Sequence, residues 1–505
     1  MNERRTLHPI YILFGLLNTI RGFIPFLLIA LIKGTEWGEL RWYWYAGAGA
    51  LAVVILLFSV LEWRNFGFWL EADRIIIRRG FLFRDEKTIY YSRIHSVNVE
   101  QPLIQRLLGV AQVKIETPGG SKKADGILPA LSMTEAGNIQ LVLRGHANAQ
   151  GGQPPEPVSE QAREASDVMN KQVEAVKAST AATPEPAGPS FQLSPAQLFQ
   201  AAATSMNFGL VAAFIAGLYS FADDFIDALL PDRFFENVME DSVSMMPGYI
   251  IIAVIALIGI AFAWLLSIAL YILKYSGFSV KRHGKQLTVS YGLLEKKSFV
   301  FDPKKVQAVI VKEGMLRQAI GYAEIQLQII SSDKKEQLIL HPFLKRADVS
   351  AVLAAFVPQL KLPANTDLAG APKRALLYYV RIELLVTLAL CAALILWLKS
   401  AGLWSLLLVP LVFAWRMSCH RAAGVALKEG QLTLRNRYLS RSTYLIRRPQ
   451  IVTMRVNRSA RQQRRRLLTL SVHAMGSPFD YRVACLDRTD VEPVWHWYSR
   501  SHRNQ

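Results

Sequence analysis

One arrangement of residues occurs three times along this chain, and nothing else in it restricts the possible folds as strongly. A pair of long apolar stretches is followed by short alternating strands and then a helix, and the whole block is then repeated. The register holds without a gap. Leu108-Gly109-Val110-Ala111 falls on Ile320-Gly321-Tyr322-Ala323 at an offset of 212, and at that offset Gly80 meets Gly292, Arg93 meets Lys305, Ile94 meets Val306 and Val97 meets Val309. A third copy, offset by 357, keeps Ile94 as Ile451, Val99 as Val456 and Leu82 as Leu439, but carries Arg466 where the first two have Gly109 and Gly321.

Hydrophobic residues make up 51% of the chain and charged ones only 19%, too apolar a balance for an ordinary soluble enzyme of 505 residues. Crossing the hydrocarbon core takes about 20 helical residues. Six stretches qualify: Tyr11 to Ile32, Trp44 to Leu61, Ser205 to Phe221, Tyr249 to Tyr271, Leu376 to Leu398 and Leu403 to Met417. They pair into three hairpins. The loop from Ala222 to Pro247 is acidic, whereas the segments after the second, fourth and sixth stretches are rich in Lys and Arg. Basic segments stay on the cytoplasmic side, so the hairpin tips are expected outside and both termini inside, in a multi-pass protein of the bacterial cytoplasmic membrane. Trp37, Trp42, Tyr43 and Tyr45 read as an interfacial belt. The first stretch lacks a small-residue cleavage site and is expected to stay as an anchor. Cys391, Cys419 and Cys485 are scattered and suggest neither disulfides nor a zinc site.

Residues His146 to Ser190 are rich in Ala, Gln, Glu and Pro and cannot bury a core, so they read as a tether. In the first repeat Phe66 to Glu71, Arg74 to Arg79, Lys87 to Tyr91, Ile94 to Val99 and Ala111 to Thr117 are β-branched or aromatic runs separated by turn residues. Ser132-Met133-Thr134-Glu135 then opens an amphipathic helix. The expected plan is hairpin 1–61, strand-rich unit 62–145, tether 146–190, hairpin 191–273, unit 274–360, hairpin 361–418 and unit 419–505. Strands first and one helix last suggest a small β-sandwich or barrel closed by a helix.

Leu7-His8-Pro9 before the first span, Leu193-Ser194-Pro195 before the third, the Gly80-Phe81-Leu82 and Gly292-Leu293-Leu294 turns, the Arg93-Ile94-His95-Ser96-Val97 strand and the paired Leu-Gly and Ile-Gly motifs together resemble the bacterial membrane-anchored pleckstrin-homology-like (bacterial PH) family. The resemblance covers nearly all of the chain outside the tether. It implies an α+β multi-domain membrane protein: six transmembrane helices in three hairpins, each followed by a PH-like split β-barrel of seven strands with a C-terminal helix. It also implies a role in envelope integrity or stress defence, beside a smaller single-domain PH-like membrane protein as partner. It implies no catalytic residue and no established ligand.

The residues themselves offer no chemistry. The histidines are scattered, and there is no metal-ligand spacing, phosphate loop or nucleophile elbow, so neither enzyme activity, cofactor nor metal is expected. His95 is replaced by Gln307 and Val452 in the other copies, which points to a structural polar residue. Charge is the stronger signal. From Arg416 to Gln505 the chain has 18 Arg and Lys against 5 Asp and Glu, densest at Arg455, Arg458, Arg461, Arg464, Arg465 and Arg466. Two readings stand for this patch: topology retention with a solvated face, or a contact with anionic lipid headgroups or an acidic protein. No aromatic residues are interleaved at Arg461 to Arg466, so nucleic acid is not expected as a partner. Arg21 lies within the first apolar stretch and is a candidate for an intramembrane polar contact, whereas Arg381 and Glu383 lie near enough to a span end to snorkel. The expected function is a membrane scaffold presenting three PH-like units to protein partners or lipid headgroups. The alternative is a lipid-handling or transport protein, and a lined cavity containing Arg21 is the observation that favours it.

Overall fold

A computed structural model describes residues 4–17, 21–22, 42–80, 84–117, 125–149, 188–205, 248–284, 286–330 and 337–499. The expected third span, and much of the first, lie outside these residues, as do residues 150–187 of the expected tether. Among the described residues three helices are long and apolar enough to cross a membrane: Leu257–Tyr275, Lys373–Trp397 and Gly402–Ala422. A further helix of 24 residues, Trp42–Asn65, leads into the first unit.

Each unit has two antiparallel sheets and a closing helix. In unit 1, β1 (Gly67–Leu70), β2 (Arg74–Arg79) and β3 (Asp85–Tyr90) form one sheet, and β4 (Ser96–Gln101), β5 (Val110–Glu116) and β6 (Gly126–Ser132) belong to the other, followed by the helix Met133–Ala149. The last of these strands, β6, is not apparent from the sequence, because Pro129 and the small residues beside it interrupt the β-branched pattern. Unit 2 is built from β7 (Ser190–Gln192), β8 (Ser279–His283), β9 (Gln286–Tyr291) and β10 (Lys296–Phe301), then β11 (Ala308–Glu313), β12 (Tyr322–Gln328) and β13 (Leu338–Lys345), and the helix Val349–Phe356. Unit 3 follows the same plan with β14 (Ala369–Gly370), β15 (Gly424–Lys428), β16 (Gln431–Arg437) and β17 (Arg441–Arg447), then β18 (Ile451–Asn457), β19 (Leu467–Ala474) and β20 (Tyr481–Asp487), and the helix Arg488–Ser499.

The core of each unit lies between its two sheets. In unit 1 Phe68, Ile75, Ile77 and Ile89 of the first sheet meet Val97, Val99, Val113, Ile115 and Leu128 of the second, and Ala136, Ile139 and Leu143 of the helix close one end. The Glu135 amide donates to Ser132 Oγ at 3.2 Å, so the helix starts where its hydroxyl cap predicts.

Hydrogen bonding does not stop at the repeat boundary. The order β6-β5-β4-β10-β9-β8-β7 makes one seven-stranded sheet from the second sheet of unit 1 and the first sheet of unit 2, and β13-β12-β11-β17-β16-β15-β14 does the same for units 2 and 3. At the first junction Lys296 to Phe301 run antiparallel to Gln101 back to Ser96; at the second, Ala308 to Glu313 run against Ile446 back to Arg441. The three barrels are therefore welded edge to edge. One consequence is legible in β11, which is apolar on both faces: Val309 and Val311 enter the core of unit 2, whereas Ala308 and Ile310 enter that of unit 3. Leu445, from unit 3, returns the favour in the core of unit 2.

The first strand of each unit precedes its hairpin. Arg5 bridges to Phe68, Ser190–Gln192 pairs with Lys281 back to Ser279, and Ala369–Gly370 pairs with Val425 and Gly424. In each unit the segment holding the apolar helix is thus inserted between strands one and two of its own barrel. In unit 2 Phe191 stacks on His341 with ring centroids 4.0 Å apart, and His341 Nδ1 accepts from the Phe343 amide at 3.3 Å. Burial pushes the His341 imidazole down to about 4. Its folded value lies below the unfolded one near 6.5, so its contribution is complete above that pH and is lost as pH falls toward 4. Unfolding of the detergent-solubilised protein is expected to become easier across this window by about 3 kcal/mol at most, and His341→Phe is expected to remove that part of the pH dependence.

Candidate membrane-facing site

The best-repeated surface feature is a short helix just after the first strand of the second sheet in each unit. It spans Leu103–Leu107 in unit 1, Met315–Ala319 in unit 2 and Ala460–Arg464 in unit 3. All three end on a left-handed residue: Gly109 at φ 69°, Gly321 at φ 75° and Arg466 at φ 54°. The third copy thus keeps the turn while losing the glycine, at a backbone cost of about 1 kcal/mol that an arginine must offset elsewhere.

In each unit this helix faces the segment that leads into the first apolar helix, and in units 2 and 3 it is hydrogen-bonded to it. In unit 1 Ile104 and Gln105 line a cavity together with Tyr11, Phe14 and Leu17. In unit 2 Arg317 donates from Nε to Thr204 Oγ1 at 3.2 Å and from Nη2 to the Ala201 carbonyl at 3.0 Å, both on the helix Pro195–Thr204. In unit 3 the Tyr378 hydroxyl donates to the Arg461 carbonyl at 2.9 Å from the first turn of the helix Leu376–Leu398.

What these helices present outward differs. Leu103, Ile104 and Leu107 are exposed in unit 1, the last at 79%, and Met315, Leu316 and Ile320 are exposed in unit 2. At matching positions unit 3 presents Arg461, Arg464 and Arg465. All six arginines singled out from the sequence, Arg455, Arg458, Arg461, Arg464, Arg465 and Arg466, are exposed, and no ion pair between any of their side chains and a carboxylate occurs among the described residues. Arg455 lies on the outer strand β18, Arg458 on the link that follows it, and Arg461, Arg464, Arg465 and Arg466 gather on the short helix and its turn. Charge alone located the arginines. The apolar pair of sites in units 1 and 2 escaped the sequence reading, because exposed Leu and Met look the same as core residues until burial is known.

Behind the short helix each unit has a polar junction with its hairpin, and the three are filled differently. Unit 2 places Arg317 against Glu324, both almost fully buried, with Gln326 donating to the same carboxylate and the guanidinium 6.0 Å above the Phe343 ring. Unit 1 has Gln105 and Gln112 at those positions and Ser59 where unit 2 has Tyr271. These smaller, neutral groups leave a cavity of about 1120 Å³ lined by Arg21, Ser59, Glu62, Ile127 and Pro129 among others. The Tyr11 hydroxyl donates to Glu62 at 3.1 Å on its wall. Arg21 therefore does line a cavity. Glu383 pairs with Arg416 across the third hairpin at 2.9 Å, while Arg381 lies 4.8 Å over the Tyr378 ring.

Among the described residues the histidines are scattered. His95 lies at the first junction, where burial and Lys305 push it down to about 4, and among the described residues no cluster of His, Cys, Asp and Glu is arranged for a metal.

Three split barrels with closing helices, each fused to a segment of apolar helix, define a membrane-associated protein of the pleckstrin-homology-like class. The bacterial PH domain family matches residues 13–147, 231–356 and 377–502, so most of the chain is accounted for, and the chain belongs to that family. Each matched stretch takes in the closing helix of its unit, or all but its last residues, and omits the strand that precedes the apolar segment. The chain is also similar to the UPF0699 transmembrane protein YdbT of Bacillus subtilis (strain 168), with 25% identity over 99% of both chains.

Proposed function

We propose that this protein is a non-enzymatic platform of the cytoplasmic membrane. Six spans in three hairpins, with both termini inside the cell, would hold the welded barrels against the inner leaflet, where they bind lipid headgroups and protein partners in the service of envelope integrity. The observation that carries this reading is the set of three equivalent short helices, one in each unit. Two present bare Leu, Ile and Met suited to the acyl boundary, and the third presents arginines suited to anionic headgroups. A smaller single-domain PH-like protein remains the partner that the family resemblance suggests.

The full chain, reconstituted in nanodiscs of phosphatidylcholine with increasing phosphatidylglycerol and labelled at Ser459→Cys, tests this. Quenching of the label by lipid-borne nitroxide is expected to rise with the anionic fraction. The variant Arg464→Gln/Arg465→Gln/Arg466→Gly, with glycine suited to the left-handed position, is expected to lose roughly 1 kcal/mol of attraction per charge. Quenching that ignores anionic lipid at low salt would remove the headgroup contact.

A second reading, lipid handling by the membrane helices, is favoured by one observation, the cavity with Arg21 on its wall. An amphiphile with an acyl tail and a head that carries both charges suits a mostly apolar cavity with Arg21 and Glu62 on its wall. Arg21→Leu is expected to reduce the lipid that co-purifies with the chain under this reading and to leave it unchanged under the platform reading.

A further inference from the structure

The two internal junctions define a rule, and the ends of the array leave it unfinished. In both, the last strand of one unit's first sheet pairs with the first strand of the preceding unit's second sheet, in the same register relative to the repeat. The strands at the corresponding places in units 1 and 3, β3 and β18, lie outside the two shared sheets. Among the described residues, β3 therefore pairs only with β2, and β18 only with β19.

Burial at equivalent positions records the difference. Ser96 and Asn98 of β4 are 2% and 1% exposed and Ala308 and Ile310 of β11 are 0% and 3% exposed, because a neighbouring unit covers them. Their counterparts on β18, Thr453 and Arg455, are exposed. On the other side Val300 and Leu445 are buried, and their counterpart on β3, Thr88, is exposed. Tyr90 and Val452, 41% and 48% exposed, lie at the same level of the two open edges. Open edges of this kind are templates for strand pairing, and native proteins usually block them.

We propose that β3 of one chain pairs with β18 of a second copy of this chain, forming a third shared sheet. Carrying the internal register over sets Asp85 opposite Asn457, Lys87 opposite Arg455, Ile89 opposite Thr453 and Tyr90 opposite Val452. Asp85 then lies diagonal to Arg455 and Glu86 diagonal to Arg458, within reach of long side chains. Lys87 and Arg455 stand directly opposite as like charges, and Arg84 and Arg458 do the same at the end, where Arg441 donates to Glu313 at 3.1 Å inside the chain. The contact between copies is accordingly weaker than the internal junctions. Because the two edges differ, the contact is head to tail and propagates. If every unit is anchored in one bilayer, as the platform reading holds, the operator cannot climb along the membrane normal, and propagation runs in the plane and closes as a ring.

Two chains with different tags, each lacking the native cysteines through Cys391→Ala, Cys419→Ala and Cys485→Ala, test the pairing in intact membranes. One carries Lys87→Cys and the other Arg455→Cys. Oxidation is expected to give a disulfide between the two tags, and this product is expected to be lost when Arg455→Cys is replaced by Met454→Cys, which faces the other way. A second pair, Asp85→Cys with Asn457→Cys, gives the same readout if Lys87→Cys disturbs β3. Absence of both products, equal yields from the face-reversed pair, predominance of Lys87→Cys homodimers, or disulfides only to a different single-unit protein would each overturn self-pairing. None of these outcomes depends on lipid binding, so the platform reading is judged separately.

Discussion

Replacing Arg317 by Gln is expected to cost about 3–5 kcal/mol of stability, among the largest effects of any single substitution in unit 2. The side chains of Arg317 and Glu324 retain only 4% and 10% of their exposure, so removing the cation leaves a carboxylate buried with only Gln326 to solvate it. The loss is expected to be largely recovered in Arg317→Gln/Glu324→Gln, because unit 1 already carries Gln105 and Gln112 at these positions and folds around them. Thermal unfolding in one detergent gives the comparison. Equal destabilisation of single and double variants would mean that the bonds from Arg317 to Thr204 and Ala201, which tie the barrel to its hairpin, outweigh the ion pair.

Ile310→Ala is expected to lower stability by about 2–4 kcal/mol, and to do so in the neighbouring unit. Ile310 belongs to a strand of unit 2 but lies in the core of unit 3 with Leu432, Ile446 and Leu470. Amides of β18 to β20 are therefore expected to lose hydrogen-exchange protection in Ile310→Ala. In Val311→Ala, one position along, the loss is expected in β12 and β13 instead, because Val311 packs with Ile325 and Leu340 of unit 2. Alternation along a strand thus becomes alternation between units. Separate barrels would place both losses in unit 2.

Much of the architecture is legible in the residues. Gly109 and Gly321 mark the same turn, the β-branched runs mark most of the strands, and Ser132 marks the start of a helix. The welding of the barrels is not legible, because it consists of main-chain bonds between strands about 200 residues apart at the first junction and about 130 at the second, and β4 carries Ser96 and Asn98 where a covered face would normally be apolar. Only β11, apolar on both faces, hints at it. The strands ahead of the hairpins are too short for a period to register, since Ser190–Gln192 and Ala369–Gly370 offer three and two residues. Of the candidate site, the arginines are readable as charge, whereas their link to Leu103 and Met315 depends on knowing that the three short helices occupy one place in the repeat.

Shared sheets are the central claim, and a cysteine pair across the first junction tests them most directly. Val97 and Val300 are opposite one another in β4 and β10 and are both buried. In a chain without native cysteines, Val97→Cys/Val300→Cys is expected to form an intramolecular disulfide. After cleavage at a protease site inserted between Gln153 and Pro154, the two fragments should then stay joined until a reductant is added. Fragments that separate without reductant, while Val97→Cys/Phe299→Cys on the opposite face behaves identically, would contradict a continuous sheet and return the molecule to three independent barrels.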